Sequence, residues 1–155
     1  MDGISLSWRL LPQAVIERHQ LHDRKIQRGD KSDPEYRFMY RERGAVLPVW
    51  YGEELRVCNW GNPARSSPLP RCRVIGHENL HAGEWRDLEP ELVEIPATFG
   101  FDRGIWFRIT QGVQGVMVRE QDGTPVIYVV TREATHYYEV MTRNKREPIL
   151  IGETI

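Results

Sequence analysis

From Tyr36 onward the chain carries only short apolar runs, and turn residues cut each one off before a long element can form. YRFMYRER, AVLPVWYG and ELRVCNWG follow in succession, with Gly44, Gly52 and Gly61 as the breaks. Runs of this length, rich in Val, Tyr, Phe and Trp, read as β-strands. The same texture returns in LVEIPATFGF, GIWFRIT, GVQGVMVRE and TPVIYVVTR, and QDGT between the last two has the residues of a hairpin turn. PILI, close to the C-terminus, reads as a final strand. The stretch NPARSSPLP is too rich in Pro and Ser for either regular element.

Helix signals are few. Leu11 to Gly29 has Pro12 at a first-turn position, Gly29 as a stop, and an imperfect apolar stripe of Leu11, Ala14, Val15 and Leu21. Arg28 to Glu35 is a polar loop. Thr131 to Met141 reads as a second helix, with Thr131 as N-cap and Ala134, Tyr137, Tyr138 and Met141 as its apolar face. The expectation is an α+β fold in a single domain over residues 1–155, with short, mostly antiparallel strands in barrel-like sheets and about two helices. At 155 residues and 40% hydrophobic, such a domain buries most of its apolar surface without staples.

No apolar run reaches the length of a membrane span. The start MDGISLSWRLLPQ lacks the basic-then-apolar order of a secretory leader. Cys58 and Cys72 are therefore expected as free thiols in a reduced, cytoplasmic setting, and no cofactor is expected. The net charge of -1 says little, but its distribution says more. Arg56, Arg65, Arg71 and Arg73 fall in a stretch without Asp or Glu, and Arg143, Lys145 and Arg146 cluster later. Strips of this kind bind phosphates when they line a cleft and are solvated surface when they do not.

His77-Glu78-Asn79-Leu80-His81 has the HExxH spacing of a zinc peptidase. That chemistry needs a helix, which sets both imidazoles on one face and the glutamate against the metal-bound water. Here Gly76 and Gly83 bracket the motif within less than two turns, and no further histidine follows where the extended motif has one. The alternative is a surface turn with a chance match. His19 and His22 have no Cys or acidic partner pattern and read as a solvated face.

Separated blocks, in order, resemble the SOS response-associated peptidase (SRAP) family, whose members sense abasic sites in single-stranded DNA. RFMY…VLPVWYGEELRVCNWG is similar to that family's stretch ending in Trp-Gly, here Trp60-Gly61. IPATFGFD (95–102) is similar to its vPADGFYEW, and VVTREATHYYEVMTRNKREPIL (129–150) to its block ending in iHdRMPviL. The blocks cover about a third of the chain, and their order extends the likeness across nearly all of it.

The resemblance implies a particular chemistry. A cysteine exposed by removal of the initiator Met condenses, through its thiol and amine, with the ring-opened abasic sugar to give a thiazolidine. An Asn, an Arg, a Glu and a His orient the sugar and move protons. Carried onto this chain, the cysteine position holds Asp2, the glutamate position Asp102 and the histidine position Asn144, while Arg146 keeps an arginine. A carboxylate cannot close a thiazolidine, and an amide cannot shuttle protons near neutral pH. Cys58 and Cys72 have no free amine beside them; Cys72, between two arginines, has a lowered pKa if it is exposed.

The resemblance thus implies a domain that binds single-stranded or abasic DNA with the covalent and peptidase chemistry lost. Trp60 would stack on bases, and Arg65, Arg71, Arg73, Arg143 and Arg146 would hold phosphates, with Asn62 a weaker candidate for the family's Asn. The competing reading of Trp60, as of Trp50, Trp85 and Trp106, is packing. Two other functions compete: a zinc metallopeptidase through His77, Glu78 and His81, and a structural or protein-interaction module without catalysis.

Overall fold

The computed structural model describes residues 1–62 and 67–152. Its strands are β1 (Gly3–Ser7), β2 (Lys25–Ile26), β3 (Glu35–Met39), β4 (Val46–Tyr51), β5 (Glu54–Trp60), β6 (Val74–Gly76) and β7 (Glu91–Pro96). They continue with β8 (Phe99–Asp102), β9 (Ile105–Arg108), β10 (Gly112–Arg119), β11 (Pro125–Glu133), β12 (Arg146–Pro148) and β13 (Leu150–Ile151). The α-helices are short: α1 (Gln13–Arg18), α2 (Gly83–Asp87) and α3 (His136–Thr142).

One sheet runs β2-β3-β1-β8-β9 and is antiparallel throughout. In the other, β11, β5, β4, β7 and β10 pair in sequence and the β10–β11 hairpin closes the ring, giving a small barrel. The parallel pairings among the described residues are those of β11 with β5 and β6. The α+β reading with short, mostly antiparallel strands holds.

β10 and β11 are buried on both faces, which is why their sequences read as nearly unbroken apolar runs. Val113, Met117, Ile127 and Val129 face a core that also takes Ile4, Leu6 and Phe38 from the first sheet. Val116, Val118, Val126, Tyr128 and Val130 point the other way, under Trp85 of α2, whose ring meets Tyr128 edge-on at 4.8 Å. The alternation is the two-residue period of a strand. Gly61, after Trp60, has φ +64, and a Cβ there would run into the Cys72 carbonyl, so the Trp-Gly turn requires glycine. Among the described residues no helix is long and apolar enough to cross a membrane.

Both helix expectations are corrected. The first helix ends at Arg18, because Gln20 turns left-handed at φ 53; a 3-10 turn (His22–Arg24) and β2 follow. Val15 and Ile16 are buried on α1 itself, whereas Leu21 packs only after the chain has turned. In the second case Thr131 is not a cap. It continues β11 and pairs with Pro148 of β12 and Gly76 of β6, as suits the β-branched run Val129-Val130-Thr131.

The cap is Thr135, whose hydroxyl accepts from Tyr138 N at 3.2 Å. Thr135→Ala is expected to cost about 1 kcal/mol. A urea titration would register this as a lower midpoint at unchanged slope.

Candidate functional site

The site is built where the chain begins. β1 lies in the middle of its sheet, between β3 and β8, so Met1 and Asp2 are led between those strands. Asp2 N donates to Phe101 O at 2.7 Å, and Tyr40 N donates to Asp2 O at 3.0 Å. Gly3 pairs with Phe101, and the next step of the register brings Asp102 alongside.

Asp102 is fully buried. Its Oδ2 accepts from the Tyr138 hydroxyl at 2.6 Å and from Asn144 Nδ2 at 3.0 Å. Its Oδ1 lies 3.7 Å from the Met1 amino group and, among the described residues, accepts no hydrogen bond. Arg143, left-handed at φ 62, ends α3 and turns the chain so that Asn144 reaches inward. Asn144 Oδ1 accepts from Arg146 N at 3.0 Å, which sets the amide so that its NH2 group faces the carboxylate.

Around this buried core lies a charged rim. Arg73 Nη2 meets Asp2 Oδ1 at 2.8 Å, and Arg73 Nε donates to Met1 O at 3.0 Å. The other Asp2 oxygen accepts from Arg103 N at 2.9 Å, and the Arg103 guanidinium donates to Arg143 O at 2.7 Å. Burial, reinforced by the bond to Asp102, pushes the Tyr138 phenol far up, so it stays a donor. Burial also lowers the pKa of the Met1 amine, against the pull of Asp102 in the other direction.

Asp102 and Asn144, drawn from distant parts of the chain, are therefore in contact, and Asp2 lies beside Asp102 along the β1–β8 register with its carboxylate turned to Arg73. The nucleic-acid residues fare unevenly. Trp60 is not a stacking platform: it is 1% exposed, its indole N–H donates to Arg73 O at 3.1 Å, and Tyr40 packs on it edge-on at 5.2 Å. Its burial follows from its place in the barrel wall, on the last residue of β5, and the packing reading is the correct one.

Arg73 and Arg143 belong to the site, whereas Arg146 is held elsewhere, on Glu78 at 2.8 Å and on Thr131 O at 3.0 Å. Arg71 is exposed, and Arg65 lies outside the described residues. Asn62 is buried and spends its amide on Leu69 O at 2.7 Å, which marks a loop-holding residue. Tyr138 and Arg103 were not anticipated. Arg103 directly follows Asp102 in sequence, and a buried tyrosine hydroxyl needs a partner, so both had a faint signal.

His77, Glu78 and Asn79 form a 3-10 turn that ends before His81, so no α-helical face carries both imidazoles. Glu78 pairs with Arg146, and its own backbone N–H together with that guanidinium holds its carboxyl below the usual range. Among the described residues no group of three or more His, Cys, Asp or Glu is placed to hold a metal ion. The condition for a lowered Cys72 pKa, exposure, is not met: the thiol is half-buried and burial pushes it up, outweighing Arg73, which faces Asp2 instead. Burial raises Cys58 too.

No protein-family model matches the chain, and neither does any curated protein or solved structure.

Proposed function

We propose that this chain is an SRAP-like domain that binds single-stranded DNA, strands with an abasic site included, without the covalent step of that family. The observation that carries the reading is a convergence. Positions 102 and 144 match the family's reactive positions in two separate blocks of sequence, and position 2 matches by its place after Met1. In the folded chain Asn144 donates to Asp102 at 3.0 Å, and Asp102 lies 3.7 Å from the amino group of Met1, the residue next to Asp2. The meeting of these residues is what supports the reading.

The same residues explain why the site would hold a strand and not react with it. Thiazolidine closure needs a thiol beside an amine, and Asp2 offers a carboxylate already engaged by Arg73. Asn144 is a fixed donor where proton transfer would need an imidazole. What remains is recognition: Arg73 pairs with Asp2, and Arg103, whose backbone N–H also meets Asp2, adds a second guanidinium held on Arg143 O.

The test is fluorescence anisotropy with a labelled single strand carrying one abasic site, the same strand intact, and a duplex, at two salt concentrations. Preference for the single strands is expected, with a log–log salt slope of about 0.7 per phosphate contacted. A denaturing gel of the abasic complex is expected to show free protein and free DNA. No binding to any of the strands at low salt would remove the reading altogether.

A further inference from the structure

The burial of Trp60 leaves the proposed strand without an aromatic surface at the position sequence suggested, but the fold offers one elsewhere. Between β9, α3 and β12 lies a cleft of about 370 Å³. That is within the range of small-ligand sites, about 300–1,000 Å³. Phe107, Tyr138 and Met141 line it, and Tyr137, 76% exposed, stands at its edge. Phe107 and Tyr138 meet edge-on at 5.4 Å, which fixes both rings. Tyr138 is a wall shared with the site already described, since its hydroxyl donates to Asp102.

The charge of the cleft is positive. Arg132 and Glu147 both line it and neutralise each other at 3.0 Å. Arg108, also in the lining, is exposed on β9, and among the described residues its guanidinium has no carboxylate partner. An aromatic edge next to an unpaired guanidinium suits a ligand that carries a flat π-face and an anion on one short frame. A nucleotide is such a ligand: its base stacks on tyrosine and its phosphate meets arginine.

We infer that this cleft seats one nucleotide of a bound single strand, with the base against Tyr137 and the phosphate on Arg108. The inference rests on the single-strand reading and extends it from the Asp102 site across the shared wall of Tyr138. Both contact residues are exposed, so their replacement leaves the core intact.

The experiment is anisotropy with fluorescein-labelled oligodeoxycytidine over a series of salt concentrations. The proteins are the full chain and its Tyr137→Ala, Arg108→Ala and Trp8→Ala variants. Trp8 is 44% exposed and does not line this cleft, so it controls for the loss of an exposed ring. Tyr137→Ala is expected to weaken binding roughly tenfold, within the range for loss of one stacked base. Arg108→Ala is expected to lower the salt slope by about 0.7, one phosphate contact. Trp8→Ala is expected to bind as the unaltered chain does.

Binding by the unaltered chain with neither cleft variant impaired would overturn the nucleotide subsite and leave the single-strand reading standing; a protein partner in the cleft would give this result. Failure of the unaltered chain to bind would overturn both.

Discussion

Trp60→Ala is expected to destabilise the chain by about 3–5 kcal/mol, while Trp60→Phe keeps most of the stability and leaves the proposed affinity for single-stranded DNA unchanged. The indole is 1% exposed, on the last residue of β5. It packs with Ile127 and Leu47 in the core shared by both sheets. Truncation to alanine removes most of the largest fully buried side chain in the barrel, and the strands around it are hydrogen-bonded in a closed ring that cannot collapse into the space. The indole N–H also donates to Arg73 O at 3.1 Å, so the alanine variant loses that bond as well as the packing. Phenylalanine keeps the apolar bulk and gives up only that bond. Chemical denaturation of both variants measures the stabilities, and anisotropy on the folded phenylalanine variant measures the affinity. A phenylalanine variant as stable as the parent that had lost its DNA affinity would return Trp60 to the interface.

The strands were legible because their signals are local. Apolar runs broken at Gly44, Gly52 and Gly61 and a hairpin at QDGT need nothing beyond a few neighbouring residues. Barrel-like sheets were expected, but which strands close the ring was not legible, since it depends on β11 lying beside β5 in parallel, a pairing between Ile127 and Trp60 across more than sixty residues of chain. The misplaced start of α3 has a similar cause. TREATHYYEVM looks helical from its first threonine until β6 and β12 arrive on either side of Thr131 and claim it for the sheet.

The site divides along the same line. Positions 2, 102 and 144 were singled out through a resemblance, but what each one contacts could not be read from it. Asp102 is fully buried, and only the fold makes Tyr138 and Asn144 its donors. Burial likewise decides that Trp60 packs and that Cys72 stays a thiol, whereas the 3-10 turn at His77–Asn79 is what brings Glu78 to Arg146. Residue type fixes what a side chain can do, and its surroundings decide whether it does so.

Asp102 itself carries the second large effect. Asp102→Ala would leave the Tyr138 hydroxyl, the Asn144 amide and the Met1 amine facing a space with no acceptor. Removal of one partner from a buried charged group costs about 3–5 kcal/mol, because the groups left behind keep their desolvation penalty. Asp102→Asn should cost less, since one carbonyl oxygen still accepts from Tyr138 and Asn144 while the charge opposite the amine disappears.

The pair can be separated by pH. Burial already lowers the Met1 amine from its ordinary value of 8.0, and Asp102 opposes that shift. Between the lowered folded value and pH 8.0 the unfolded chain holds more protons than the folded one, so stability rises with pH up to that point and levels off above it. With the Asp102 charge gone, the folded value falls further and the rise begins at lower pH. Asp102→Asn is therefore expected to gain more stability than the parent as pH is raised toward 8, by urea titrations at several pH values. Equal pH profiles for variant and parent would mean that the carboxylate does not act on the amine. An alanine variant as stable as the parent would mean that Asp102 is not the acceptor on which this end of the sheet is built.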